Sequence, residues 1–249
     1  MYTLKKSLGQ HFLKDESISK RIVEELQKCT FKNLVEVGPG GGALTKYLIK
    51  LPDINFRAVE IDDEKVAFLK KTYPALADKI IHQSFLEIER PFESFTVIGN
   101  FPYNISTEIV FKILEWDDAV ESMIGMFQKE VAQRLAAKEG SKVYGVTSVL
   151  VQAFYNVHYL FDVDENSFTP PPKVKSGVIK FIKRSEPLDI KSRRGFFNLV
   201  KTAFGQRRKT LRNACKGLFT PDYLQQPIFN KRAEQLSVQD FASLSYHMR

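Results

Sequence analysis

Short apolar runs alternate along this chain with segments whose apolar residues return every three or four positions, the pattern of a strand–helix–strand fold. Asn33-Leu-Val-Glu-Val37, Phe56-Arg-Ala-Val-Glu60, Lys79-Ile-Ile-His-Gln83, Phe95-Thr-Val-Ile98, Met123–Phe127, Asn156–Phe161 and Gly177–Ile182 read as seven strands. Helices are predicted from about Ser17 to Lys28, with Asp15 or Ser17 as cap, and from a glycine turn to about Lys50. Others run from a Ser106 or Thr107 cap to Trp116, from Lys129 to about Ala137, where Gly140–Gly145 makes a polar turn, and from Tyr144 to Tyr155. Alternation of this kind predicts an open α/β sheet, whose ligands bind outside the carboxyl ends of the strands.

The pattern changes after Glu186-Pro-Leu-Asp189, which reads as a linker. Beyond it Phe196, Val200, Phe204, Leu211, Cys215 and Leu218 mark one helix face, while Lys201, Arg208, Arg212 and Lys216 fall on another. Short helices around Pro221–Gln225, Lys231–Gln235 and Val238–Tyr246 complete a small all-α module. The expected domains are 1–183, with the leader Lys5–Leu13 as a lid, and 184–249. Charge follows the same division: residues 1–183 hold 24 basic and 24 acidic side chains, residues 184–249 hold 13 and 5. The whole net charge of +8 therefore sits in the last segment. Gln206-Arg-Arg-Lys209 makes it dense enough to grip a polyanion, with Lys201, Arg207, Arg208, Lys209 and Arg212 as the candidate phosphate-binding residues.

Candidate chemistry clusters at three strand ends. Gly38-Pro-Gly-Gly-Gly42 lets backbone approach a ligand where a Cβ would collide. Glu60, about twenty residues on, is placed to accept hydrogen bonds from ribose hydroxyls. Those features also fit a dinucleotide fingerprint. S-adenosylmethionine is favoured by Glu36, which either holds the glycine turn or meets a cationic ligand group, and by Asn100-Phe-Pro-Tyr103. There an amide oxygen and the Phe101 carbonyl, held extended by Pro102, converge as two acceptors for an exocyclic amino group. Two such bonds localise the nitrogen lone pair, and Tyr103 offers a face on which a base can stack. Phe168, ahead of Pro170-Pro-Pro172, would either cover the second face or anchor the loop from the core. Ser84 follows the third strand, where a cofactor's adenine edge would lie.

Other function classes lose support. Cys29 and Cys215 lie far apart and His11, His82, His158 and His247 are scattered, so no metal centre is expected. No apolar run approaches a membrane span, and Met1–Gln10 lacks the apolar centre of a signal peptide, so a cytoplasmic protein is expected.

Six blocks, in order, carry a resemblance: Leu8-Gly-Gln-His-Phe-Leu13, Val35-Glu-Val-Gly-Pro-Gly40, Gly99-Asn-Phe-Pro-Tyr-Asn-Ile-Ser106, Gln128-Lys-Glu-Val131, Phe168-Thr-Pro-Pro-Pro-Lys-Val174 and Phe204-Gly-Gln-Arg-Arg-Lys-Thr-Leu-Arg-Asn213. Over nearly its whole length the chain resembles the ribosomal RNA adenine dimethyltransferases, most closely the bacterial small-subunit branch. The resemblance implies a Rossmann-like S-adenosylmethionine-dependent methyltransferase sheet with a helical C-terminal domain. It implies dimethylation of two adjacent adenosines near the 3′ end of small-subunit rRNA, so the polyanion gripped by Lys201, Arg207, Arg208, Lys209 and Arg212 would be RNA. The expected partner is this rRNA in a partly assembled ribosomal subunit, and the expected state is a monomer. Carried onto this sequence, the resemblance implies that His11, Leu13, Gly38, Glu60, Ser84 and Asn100 contact the cofactor, a set that Gly40 and Glu36 join on the reading of the glycine turn and its strand. Asn100, Phe101, Pro102 and Tyr103 would hold the adenine, and Phe168 would stack on it. Ser84 stands where the family usually has Asp, and His11 where many members have Asn. The alternatives are a large-subunit adenine methyltransferase, a DNA adenine methyltransferase and a non-catalytic assembly factor.

Overall fold

The computed structural model describes residues 11–249, and the chain divides into two compact units: the chain up to Ala132 with His158–Lys183, and Gln133–Val157 with Arg184–Arg249. In order along the chain, the first unit contains β1 (Phe12–Leu13), α1 (Glu16–Gln27), β2 (Asn33–Val37), α2 (Thr45–Leu48), β3 (Asn55–Glu60), α3 (Asp63–Thr72) and β4 (Ile80–His82). It continues through β5 (Phe95–Asn100), α4 (Ser106–Glu115) and β6 (Val120–Gln128). After α5 (Lys129–Leu135) and α6 (Val146–Gln152), the strands β7 (Tyr155–Val163), β8 (Phe168–Thr169) and β9 (Ser176–Lys183) follow, and then α7 (Arg193–Gly205), α8 (Leu211–Ala214) and α9 (Val238–Ser245).

Seven strands form one sheet in the order β4-β3-β2-β5-β6-β9-β7. β4 through β6 run parallel, and β9 is antiparallel to β6. Leu34, Val35, Val37, Val97 and Ile98 are fully or almost fully buried, as expected of strands covered on both faces. The chain steps outward from β2 to β4 and then returns to β5, so the strand order reverses between β2 and β5. A crevice opens at such a reversal, beyond the strands' carboxyl ends. The sheet is the open α/β arrangement expected from the alternating pattern, in the Rossmann-like form that the resemblance implies.

Details differ from the sequence expectations. β5 extends through Asn100, and the glycine turn leaves room for only one helical turn, α2. Asp15, not Ser17, caps α1 by accepting from the amides of Ser17 and Ile18. α4 has no side-chain cap; the Ser106 hydroxyl instead donates to the Tyr103 carbonyl at 3.1 Å. The leader expected to form a lid lies, for residues 5–10, outside the described residues. Its described end, β1, pairs with β8 through Phe12–Thr169 and Leu13–Phe168.

The expected boundary at 183/184 misses part of the second unit. Residues 133–157 pack with 184–249, because α6 places Val149, Leu150 and Val151 in a core against α7, and Tyr144 meets Phe204 edge-on at 5.9 Å. Main-chain bonds reinforce this: Arg184 N donates to the Phe154 carbonyl at 3.0 Å. An insertion between strands is invisible to a linear composition count. Regrouped, the second unit carries 16 basic and 6 acidic residues and the first 21 and 23. The basic excess thus belongs to one folded unit.

Candidate active site

A cavity of about 250 Å3 opens in the first unit at the ends of β2, β3 and β5. Gly38 and Gly40 hold φ angles of +67° and +55°, a region that disfavours any side chain, so the turn after β2 can present bare backbone to the cavity. Gly38 N donates to the Val59 carbonyl at 2.9 Å, which ties the turn to β3.

Two carboxylates stand behind this turn. Glu60, nearly buried, accepts from Gly40 N at 3.1 Å through Oε2, and from Ile61 N and Asp62 N at 3.0 Å each through Oε1. It therefore shapes the glycine turn as well as facing the cavity, and Oε2, with one donor, keeps a lone pair for a further one. Glu36 is buried, and its Oε2 accepts from the Thr45 hydroxyl at 2.7 Å. Burial pushes its carboxyl up to about 8, against the lowering effect of the Thr45 bond and with a smaller push from the Glu60 charge.

That shift predicts a stability profile. The folded state retains a proton on Glu36 that the unfolded chain has lost, so the stabilisation is complete below the unfolded carboxyl range and disappears as pH rises through about 8. Thermal unfolding of the unliganded protein between pH 5 and 9 should show this decline, and Glu36→Gln should flatten it. A decline of equal steepness in the Gln variant would remove Glu36 as its source.

The turn after β5 is built around Phe101. Its ring is fully buried and meets Phe127 edge-on at 5.0 Å, and its amide donates to the Met126 carbonyl at 3.2 Å. Gly99 and Gly125 are register partners on β5 and β6 and leave the space that the ring fills. A Cβ on Gly125 would lie 2.3 Å from the ring. Gly125 was missed in the sequence, although a glycine inside a buried strand marks a close approach.

Asn100 donates through its amide nitrogen to the His11 carbonyl at 3.3 Å. A carbonyl can only accept, so this contact sets the amide's orientation and turns Oδ1 the other way. Among the described residues no hydrogen-bond donor reaches Asn100 Oδ1 or the Phe101 carbonyl, and both residues line the cavity. Tyr103 lines it too, half-buried, with its hydroxyl 2.5 Å from Ser176 Oγ and its ring 5.6 Å from that of His11.

Eleven of the twelve candidate cofactor and catalytic residues meet at this one cavity; Leu13 arrives there on the strand pair with β8, and His11 just ahead of it. Ser84 is among them, and its hydroxyl accepts from Leu86 N at 3.3 Å. Phe168 is the exception. Only 1% exposed, it packs in the core with Ile22, Val23 and Leu26 and does not line the cavity, so the expected stacking role is not met. Ile61, absent from the candidates, is 55% exposed and lines the cavity beside Glu60. Among the described residues no group of three or more His, Cys, Asp or Glu side chains could hold a metal, and no helix is long and apolar enough to cross a membrane.

The candidate RNA-binding residues all lie in the second unit, where Lys201, Arg208 and Lys209 are exposed. Arg207 donates to the Lys142 carbonyl at 2.7 Å, and Arg212 Nε to the Leu224 carbonyl at 3.1 Å. Those two guanidinium groups hold turns of the unit together.

The chain matches the family described as ribosomal RNA adenine dimethylase over residues 1–248. It is 53% identical over 246 residues to the ribosomal RNA small subunit methyltransferase A of Flavobacterium johnsoniae, covering 97% of this chain and 94% of that protein. Identity to the protein of the same name from Cytophaga hutchinsonii is 51%, over 97% and 95%. Among solved structures, a dimethyladenosine transferase from Plasmodium falciparum superposes with a TM-score of 0.79 at 25% identity, covering 94% of this chain and 96% of that one. The 23S rRNA methyltransferase ErmE, at 22% identity, shares the fold with a TM-score of 0.71 over 93% and 99%. With the match spanning both units, and with the glycine turn and the Asn100–Tyr103 turn facing one cavity, the chain belongs to the ribosomal RNA adenine dimethylase family.

Proposed function

We propose that this protein transfers methyl groups from S-adenosylmethionine to N6 of two adjacent adenosines in the 3′-terminal hairpin of small-subunit rRNA, giving dimethyladenosines during ribosome biogenesis. The observation that carries this reading is the pair of acceptors, Asn100 Oδ1 and the Phe101 carbonyl, without a described donor at the mouth of a nucleoside-sized cavity.

The residues present fit the cofactor. The bare turn at Gly38 and Gly40 accommodates close approach, Glu60 retains acceptor capacity for ribose hydroxyls, and Ile61 supplies an exposed apolar surface for a flat base. Glu36 sets a carboxyl opposite a cationic ligand. Bound there, S-adenosylmethionine supplies an electrophilic methyl group on a sulfonium.

The protein's own residues then act on the adenosine, which has to leave its stack at a cost of a few kcal/mol. Tyr103 offers a face for the extruded base. Asn100 Oδ1 and the Phe101 carbonyl accept the two N6 hydrogens and aim the nitrogen lone pair, so the arrangement needs no general base before attack. Once alkylated, the nitrogen is cationic and releases its proton to water or to the Phe101 carbonyl. The second transfer repeats the geometry on an amino group with one hydrogen left.

The basic unit supports backbone contact. Replacing exposed Lys201, Arg208 and Lys209 together by alanine should weaken RNA binding and reduce the slope of log affinity against log salt by about 2 to 3. An unchanged slope would remove these side chains from the interface. The direct test of the whole reading is labelled methyl transfer to small ribosomal subunits from cells lacking the protein, followed by nuclease digestion and mass analysis. Dimethyladenosine in the 3′-terminal hairpin supports it; tight subunit binding without transfer would favour a non-catalytic assembly role.

A further inference from the structure

Tyr103 is held at its far end. Its hydroxyl and that of Ser176 share a hydrogen bond of 2.5 Å, across 73 positions of sequence. Ser176 has no solvent exposure. It is the first residue of β9, in register with Gln128 at the end of β6, and its neighbour Gly177 is wedged close to Tyr159 and Ala132. Just before it, the Lys175 carbonyl accepts from Lys129 N at 2.9 Å, and the Lys175 ammonium pairs with Asp164 at 3.2 Å. The serine hydroxyl is thus a fixed point on the sheet, and the tyrosine reaches it from a turn that lines the cavity. Burial raises the Tyr103 phenol above its ordinary range, which keeps it protonated and able to donate.

Resting on the reading of Tyr103 as the platform for the target base, we infer that Ser176 is a positioning residue that fixes the plane of the Tyr103 ring and thereby the orientation of the adenine, above all in the second methyl transfer. The reason is a count of hydrogen bonds. An unmodified amino group meets both acceptors, Asn100 Oδ1 and the Phe101 carbonyl. A monomethylated one has a single N–H and can satisfy only one of them, so more of its alignment falls to the stacked ring. Small errors in alignment are costly to displacement reactions. A ring free to tilt therefore penalises the second transfer more than the first.

The experiment measures mono- and dimethyladenosine formed on small subunits by the full-length protein and by Ser176→Ala, Tyr103→Phe, the double variant and Ser176→Thr. Ser176→Ala should raise the mono-to-dimethyl product ratio roughly three- to thirty-fold, through kcat of the second transfer, with cofactor affinity unchanged. Tyr103→Phe should reproduce the shift from the other end of the bond, the double variant should add nothing, and Ser176→Thr, which keeps a hydroxyl, should restore the ratio. A uniform loss of rate with the original ratio, or additive effects of the two single variants, would overturn the inference while leaving the proposed function intact. Absence of transfer by the unaltered protein would overturn both.

Discussion

Asn100→Ala is expected to lower methyl transfer by roughly 10²- to 10³-fold, the usual cost of removing one preorganised group from a site of this kind. Cofactor affinity should change much less. The asymmetry follows from geometry. The Asn100 amide nitrogen is used by the His11 carbonyl, so its oxygen is the part left for the substrate. In the proposed function the cofactor is held largely elsewhere, by the glycine turn and Glu60. Parallel measurements of single-turnover transfer and calorimetric S-adenosylmethionine binding decide the matter. Turnover within a few-fold of the original protein would show that Asn100 does not orient the amino group. A matching fall in both quantities would make it a cofactor residue.

The second large effect is expected at Gly125→Ala. A Cβ there would lie 2.3 Å from Phe101 Cε2 and 2.8 Å from both Met123 Sδ and Phe127 Cε2. All three belong to buried residues, so none can swing into solvent. The strand or the Phe101 ring must move. Overpacking of this kind costs about 1–3 kcal/mol of stability. Because the same residue carries the acceptor carbonyl, displacement should also reduce transfer by about ten- to a hundred-fold. Gly205→Ala is the control, since nothing lies within 4 Å of a Cβ there; it should leave both properties close to those of the original. Denaturant unfolding and transfer assays on the two variants are sufficient. Full activity in Gly125→Ala would show that the Phe101 carbonyl tolerates movement.

The sequence by itself determined the elements and the chemistry carried by contiguous residues. Apolar runs at 33–37 and 95–98 fold as buried parallel strands because burial on both faces demands continuous hydrophobicity. The glycines at 38 and 40 and the Asn100–Tyr103 turn are legible because a required backbone geometry or an unusual set of acceptors is written in adjacent letters. Each such motif ends a strand, and strand ends in an open parallel sheet converge. That is why the candidate cofactor residues, scattered from His11 to Asn100, line one cavity.

What only the tertiary structure decided depends on partners distant in sequence. Phe168 looked like a presented aromatic, but pairing of β1 with β8 turns its ring into the core. Residues 133–157 looked like part of the first domain until the core they share with α7 joined them to the basic unit. Arg207 and Arg212 read as phosphate ligands, and the fold also gives each guanidinium a main-chain carbonyl from another segment to hold. Ser176 carried no local signal of function and Gly125 only that of a close approach, since what they meet is a hydroxyl and an aromatic ring delivered by the turn after β5. Periodicity and motif report what a residue does for its own element. Hydrogen bonds and packing across elements depend on the direction of a side chain after folding, and that direction is set by the sheet.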